Sequence, residues 1–208
     1  MAQFFTIHPD NPQPRLVRQA AQILRDGGVV VYPTDSCYAL GCRLDDRGAL
    51  QRIRIIRALD ARHHFTLVCR DLSEVSRYAR VDNRQFRLLK SATPGSYTFI
   101  LEATREVPKR LQHPKRNTIG LRIPDHPVAS ALLAELGEPI LSTSLLLPGD
   151  DLPLNDPEAM RERLGAQVDL IVDSGACGFE MTTVVDLTRD GPQVVREGRG
   201  NLAVFGLA

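Results

Sequence analysis

Hydroxyls, one carboxylate and scattered guanidiniums carry the chemistry open to this sequence. The segment Tyr32-Pro33-Thr34-Asp35-Ser36-Cys37-Tyr38-Ala39-Leu40-Gly41 directly follows the apolar run Val29-Val30-Val31. A strand ending there sets Thr34, Asp35 and Ser36 at a sheet edge, where open α/β folds take their ligands. The same residues suit a polar turn in which Thr34 and Asp35 bond local backbone. Thr143-Ser144 closes another apolar run. Its two hydroxyls suit a phosphate or ribose, or merely the backbone at a strand end. Three arginines lie beside strand-like or helical runs: Arg57, Arg122 within Gly120-Leu121-Arg122-Ile123-Pro124, and Arg196 within Val195-Arg196-Glu197-Gly198. A guanidinium in an apolar strand needs a partner, because an unpaired charge in low dielectric is very costly. For Arg122 that partner is either a carboxylate of this chain or an anionic ligand, and its forked donors suit both.

Several other chemistries are missing. The chain has no GxxxxGK[ST] loop and no GxGxxG after a strand, so neither standard nucleotide-binding loop is present. No serine stands in a GxSxG elbow. His63-His64 are adjacent, a spacing that cannot chelate from one helix face. Cys37, Cys42, Cys69 and Cys177 include no CxxC pair, so free thiols in a reducing cytoplasm are expected. Phosphate handling would fall to arginines, hydroxyls and backbone donors. The residues single out no catalytic side chain and no metal ligand.

The elements that must position these groups alternate between helical and strand-like spacing. Leu16, Val17, Ala20, Ile23 and Leu24 predict a helix stopped at Gly27-Gly28, and a buried strand follows over 29–32. Ala49, Leu50, Ile53 and Ile56 predict a second helix, and 65–69 a strand. Short helices are expected in 72–79 and 83–91, then strands over 97–101 and 118–123. Pro127 to Leu136 fits a helix with proline in its first turn and Gly137 beyond its end. A helix capped by Asn155 or Asp156 runs to about Leu164, and strands are expected at 140–144, 168–172, 183–187 and 193–196. The pattern is a single α/β domain over 1–208, a mixed sheet with helices packed on it. Two glycine-containing connections, 147–149 and 174–178, offer backbone to a ligand. The segment 144–156 reads either as a lid or as an ordinary surface loop.

Composition bounds the rest. The chain has 208 residues, 26 basic and 25 acidic side chains, a net charge of +1 and 43% hydrophobic residues. These values fit a globular protein and exclude a generally basic coat, though not a local basic patch. Tryptophan is absent, so aliphatic side chains fill most of the core. No run approaches the ~18 apolar residues of a membrane span, and the opening MAQFFTIHPDNP lacks secretory-signal features. A cytoplasmic protein without membrane contact is expected; oligomeric state has no signal. Three of the basic residues are lysines (Lys90, Lys109, Lys115) and the others arginines.

Taken in order, these motifs resemble the YrdC-like family. Residues 33–41 resemble its PTETVYGLG signature, Pro94-Gly95-Ser96-Tyr97-Thr98 its PGPxT, and Arg122, Pro124, His126 and Pro127 its RxPxHP. Thr182-Thr183-Val184-Val185-Asp186 resembles STVVD, and Arg196 with Gly198 resembles RxG. The segments QFFTIHPDNPQ, FTLVCRDLSE and STSLLLPG are similar to the YciO branch.

The resemblance implies a twisted, open mixed sheet around a central basic cavity. It also implies threonylcarbamoyl chemistry: the synthase branch makes threonylcarbamoyl-adenylate from threonine, bicarbonate and ATP, a nucleotidyltransferase-type reaction that serves tRNA modification. By carry-over, Thr34, Arg122 and Thr182 would hold threonine, and Arg57, Ser144 and Arg196 would contact the nucleotide. ATP would arrive as a substrate with magnesium on its phosphates, and no cofactor would be tightly bound. Family members are also described as binding double-stranded RNA, which makes tRNA or duplex RNA an expected partner. The sequence departs from the synthases at three places. Their KxRP element reads Arg57, Leu59 and Asp60 at its lysine, arginine and proline positions; Ser144-Leu145-Leu146 replaces Ser-Ala-Asn; Asp35 replaces glutamate. The readings are therefore an ATP-dependent synthase, an RNA-binding protein without synthase activity, or an enzyme that removes or transfers threonylcarbamoyl on tRNA.

Overall fold

In chain order the elements are β1 (Gln3–Thr6), α1 (Pro14–Arg25), β2 (Val30–Tyr32), β3 (Ala39–Arg43), α2 (Arg47–Ile56) and β4 (Thr66–Val68). There follow α3 (Leu72–Tyr78), α4 (Asn83–Ala92), β5 (Tyr97–Glu102), β6 (Thr118–Arg122), α5 (Pro127–Leu136) and β7 (Ile140–Ser144). The last are α6 (Pro157–Leu164), β8 (Leu170–Asp173), β9 (Thr183–Asp186) and β10 (Gln193–Arg196). This computed structural model describes residues 1–60 and 63–206. Four positions of the expected 1–208 domain, 61, 62, 207 and 208, lie outside the described residues.

Local chemistry explains the helix ends. Asp46 accepts from the Ala49 N–H to start α2, and Asp156 does the same for Ala159 in α6. Asp82 and Gln85 form a reciprocal capping box on α4. Pro127 opens α5, and Gly137, at φ 76°, closes it.

The strands form one ten-stranded mixed sheet in the order β1-β8-β2-β3-β7-β4-β6-β5-β9-β10. Two of them were not legible locally. β1 exists because Gln3–Thr6 pairs in parallel with β8, far away in sequence. β3 contains Ala39 and Gly41, both weak strand formers, and is held by antiparallel ladders to β2 and β7. Segment 33–38 is therefore a hairpin loop between β2 and β3.

Helices cover both faces, but unequally. β2 shows the alternation: Val29 and Val31 belong to one apolar cluster, Val30 and Tyr32 to the other. The first cluster lies under α2, α3, α4 and α6. The second lies under α1 and α5 and includes residues of β8, β2, β3, β4 and β7. Strands β6, β5 and β9 contribute nothing to that second cluster. Their face on that side is left without an apolar cover, and the site forms there. Among the described residues, no helix is long and apolar enough to cross a membrane.

Candidate functional site

Alternate residues on adjacent strands form the floor of a cavity of about 220 Å³. β4 supplies Thr66 and Val68, β6 Thr118, Gly120 and Arg122, β5 Thr98 and Ile100, and β7 Ser142 and Ser144. Thr182 comes from just before β9, Val184 from β9 and Arg196 from β10. Residues two apart share a face of a strand. The intervening Leu67, Leu121, Phe99, Leu101, Leu141 and Val185 accordingly point into the apolar core. The rim comes from three other places. Arg57 is the C-cap of α2, His63, His64 and Phe65 precede β4, and His113 and Arg116 precede β6. Gly120 keeps the floor open, because a Cβ there would lie 3.3 Å from both Thr66 Oγ1 and Thr98 Cγ2.

The partner of Arg122 is a carboxylate of its own chain. Its Nη2 donates to Asp35 Oδ1 at 2.5 Å and its Nη1 to Ser36 Oγ at 3.2 Å, and the residue is only 7% exposed. Asp35 Oδ2 also accepts from Ser96 Oγ at 2.7 Å. The pair joins the 33–38 hairpin to the end of β6. Arg122 nevertheless lines the cavity, and its buried Nε has no hydrogen-bond partner.

Thr34 stands behind this wall and does not line the cavity. Its Oγ1 donates to the Cys37 carbonyl at 2.6 Å and accepts from the Ser36 and Cys37 N–H groups at 3.2 and 3.3 Å. The hydroxyl shapes the turn that presents Asp35 and Ser36.

Arg57 and Arg196 face the cavity without an ion pair among the described residues. Burial lowers the pKa of both guanidiniums. Arg57 Nε is buried without a hydrogen-bond partner. Arg196 is aimed by its backbone neighbours: Nη2 and Nε donate to the Thr182 carbonyl at 2.8 and 3.3 Å. Gly198 permits this, since a Cβ there would lie 2.2 Å from the Met181 carbonyl oxygen. Thr182 Oγ1 in turn lies 2.8 Å from Thr98 Oγ1, so two buried hydroxyls share one hydrogen bond.

Five of the six residues singled out from the sequence, Arg57, Arg122, Ser144, Thr182 and Arg196, thus line one cavity. Sequence reasoning missed Thr66, Thr98, Thr118, Ser142, His63, His113 and Arg116. The available signal was polar residues at period two in otherwise apolar strands, as in Thr118-Ile119-Gly120-Leu121-Arg122. Arg116 is neutralised by the buried Asp186 at 3.0 Å. His63 Nε2 lies 3.3 Å from Thr143 Oγ1. Burial first, then the charges of Arg57 and His64, push the His63 pKa down to about 4. At neutral pH its imidazole is uncharged.

Other sequence features lie off the cavity. Leu59 packs against the apolar core, and neither Leu59, Asp60 nor Leu146 lines the cavity. The segment 145–156 contributes no lining side chain either. It is anchored instead: Asn155 donates to the Cys177 carbonyl at 2.6 Å and accepts from the Cys177 N–H at 2.7 Å. That clamp joins it to connection 174–178.

The wall chemistry suits an anion with a flat apolar portion. Guanidiniums and hydroxyls gather around the floor, with Phe65, Val68, Ile100 and Val184 between them. The Sua5/YciO/YrdC family model, described as "Telomere recombination", matches residues 22–198. The uncharacterized protein YciO of Escherichia coli K12 is 60% identical over 205 residues, covering 99% of this chain and 100% of that one. A threonylcarbamoyl-AMP synthase of Halorhodospira halophila is 30% identical over 189 residues, 90% of this chain and 98% of that one. The crystal structure of E. coli YciO superposes with a TM-score of 0.94 at 60% identity, covering 99% of this chain and 100% of that chain. P. abyssi Sua5 complexed with L-threonine shares the fold, with a TM-score of 0.85 at 24% identity over 94% of this chain and 57% of that one. With the family model matching residues 22–198 and a 60% identical relative covered over its whole length, the chain belongs to the Sua5/YciO/YrdC family.

Proposed function

We propose that the cavity holds an adenine nucleotide together with threonine or a threonylcarbamoyl group, and that the protein is an enzyme of threonylcarbamoyl chemistry. The observation that carries this reading is the pair Arg57 and Arg196, two cavity-lining cations with no ion pair among the described residues. Cations held so in a protein wall stabilise charge that arrives with a ligand. The names of two relatives, a threonylcarbamoyl-AMP synthase and a Sua5 complexed with L-threonine, support reading that ligand as a nucleotide with threonine.

In its simplest form the reaction starts when the threonine amine and bicarbonate combine, with loss of water, into an N-carboxylate. Its oxygen attacks the α-phosphate of ATP. The bond from the α-phosphorus to the oxygen bridging to the β-phosphate breaks and pyrophosphate leaves; magnesium brought by ATP would supply charge balance on the phosphates. Such a transfer needs alignment and charge stabilisation more than a protein nucleophile. Arg57, Arg196 and Ser144 would meet the phosphates. Arg122 and Thr182 would meet the threonine end, with Thr34 holding the loop behind them. The reading puts the activity in the cytoplasm, with ATP and tRNA. Pyrophosphate release that requires threonine and bicarbonate together tests it; no release at high enzyme concentration defeats the synthase form.

A second form is favoured by Leu59 and Leu146, which bring neither a cation nor an amide to the nucleotide end of the cavity. There the group would be removed rather than made. Water adds to the urea carbonyl, the bond to the adenine N6 breaks, and that nitrogen takes a proton. The released threonine carbamate loses carbon dioxide. Loss of the threonylcarbamoyl group from modified tRNA, absent in Arg122→Ala, is its test.

A further inference from the structure

Hydrolysis of a urea moves a proton twice: water must lose one as it attacks, and the departing nitrogen must gain one. The cavity wall restricts which group can do this. Among the described residues no aspartate, glutamate, lysine or tyrosine lines it. Apart from guanidiniums and aliphatic hydroxyls, the lining groups that can exchange a proton are Cys37, His63, His64 and His113. Three of these four are unsuited. Cys37 is buried, and burial pushes its thiol pKa up, so at neutral pH it holds its proton. His113 Nδ1 already accepts from the Lys115 and Arg116 N–H groups, each at 3.2 Å, which places the ring proton on Nε2 and leaves no free lone pair. His64 is exposed to bulk water and stacks on His113, with centroids 5.0 Å apart and planes 22° from parallel.

His63 is placed differently. It is half-buried, its ring meets Phe65 edge-on at 5.1 Å, and its Nε2 lies 3.3 Å from Thr143 Oγ1. Thr143 immediately precedes Ser144 at the end of β7, and the charge of Arg57 acts on the ring. The imidazole therefore stands at the end of the cavity given to the nucleotide. In a threonylcarbamoyl-adenosine the bond to be broken joins the urea carbon to the adenine N6, which lies toward that same end.

We propose that His63 is a catalytic residue of the removal reaction, taking a proton from the attacking water and returning it to the adenine N6. The assignment deepens the preceding reading and rests on its removal form. As the water oxygen bonds to the urea carbon, its proton passes to the imidazole, and the charge that gathers on the carbonyl oxygen has the Arg57 guanidinium close by. The bond from that carbon to N6 then breaks, N6 takes the proton from the imidazolium, and threonine carbamate is released. The surroundings suit both halves of the transfer. Burial, Arg57, His64 and Arg54 lower the His63 pKa and Asp60 raises it, with the balance at about 4. The ring is thus neutral when water arrives, and it readily gives up a proton that N6 can take.

The test is single-turnover release of labelled threonine from tRNA that carries the threonylcarbamoyl group, with wild-type protein, His63→Ala and His63→Gln. The glutamine keeps a polar partner for Thr143, so one variant stays folded if the other does not. Both variants slow release roughly hundred- to ten-thousandfold, the usual contribution of general acid–base catalysis, and bind the tRNA as wild type does. Added imidazole restores rate to His63→Ala. Release at the wild-type rate by either variant overturns the assignment while the removal reading stands. A slow His63→Ala that imidazole leaves slow, or a loss of tRNA affinity that accounts for the whole defect, overturns it equally. No release by wild-type protein at high concentration defeats the removal form itself, and the assignment with it.

Discussion

Arg122 and Asp35 meet at 2.5 Å between the end of β6 and the hairpin loop that follows β2. The two side chains are 8% and 10% exposed. One cation thereby does two things: it is neutralised within the protein and it forms part of the cavity wall. The chain's own carboxylate holds the fork by Nη2, while Nε is buried without a hydrogen-bond partner. Arg57 and Arg196 differ, since no carboxylate is within reach of either among the described residues.

The first expected outcome follows from burial of that pair. Arg122→Ala strands the Asp35 carboxylate and lowers unfolding free energy by about 3–5 kcal/mol, as breaking buried pairs does. Asp35→Asn keeps an acceptor oxygen and costs less, about 1–3 kcal/mol. Urea unfolding monitored by circular dichroism checks both. An Arg122→Ala loss below about 1 kcal/mol would mean that the pair contributes little to the fold.

The unpaired arginines should behave in the opposite way. Arg57→Ala removes a guanidinium whose Nε is already without a partner, so stability should change by less than about 1 kcal/mol. Nucleotide affinity should fall by roughly ten- to hundredfold, because a hydrogen bond to a charged group is worth about 1.5–3 kcal/mol. Isothermal titration with ATP reads this. Unchanged affinity in both Arg57→Ala and Arg196→Ala would remove the main support for a nucleotide in the cavity.

What the sequence disclosed divides along physical lines. Helix ends were legible because caps, Pro127 and Gly137 act within a few residues. Arg122 was legible because a charge in an apolar strand must be answered. Its partner was not, since Asp35 lies far away along the chain and only the β6 register brings the two together. Strand β3 was missed because Ala39 and Gly41 argue locally against it, and pairing on both sides overrides them. The hydroxyl floor was missed for a related reason. Thr66, Thr98, Thr118 and Ser142 each look ordinary on their own strand, and the sheet order alone sets them side by side.

His63 gives a pH prediction. An imidazole in an unfolded chain takes its proton near 6.5, whereas this one refuses it until about 4. Between those values the unfolded state binds more protons, so stability falls as pH drops through that window. The sign is that of a base whose folded pKa is depressed, and above about 6.5 the effect vanishes. In NMR titration the His63 ring should show a midpoint near 4. The variant His63→Gln should lose less stability than wild type between pH 6.5 and 4. A His63 midpoint near 6.5 would contradict the burial beside Arg57.

Gly198 gives the most specific prediction, because it does not line the cavity itself and sits against the Thr182 backbone that aims Arg196. A Cβ at position 198 would sit 2.2 Å from the Met181 carbonyl oxygen and 2.7 Å from Thr182 C and O, all of them backbone. No side-chain rotation relieves such an overlap, so the chain from Arg196 to Gly200 must move away from the strand. The Gly198 N–H would leave Thr183 Oγ1, now 3.1 Å away, and Arg196 would leave the Thr182 carbonyl that aims it. Gly198→Ala should therefore cost about 1–3 kcal/mol of stability through overpacking. It should also lower ATP affinity about as much as Arg196→Ala. Adding Arg196→Ala to Gly198→Ala should weaken binding little further, since both changes remove the same contact. Full additivity of the two losses in isothermal titration would show that Gly198 reaches the ligand by some other route.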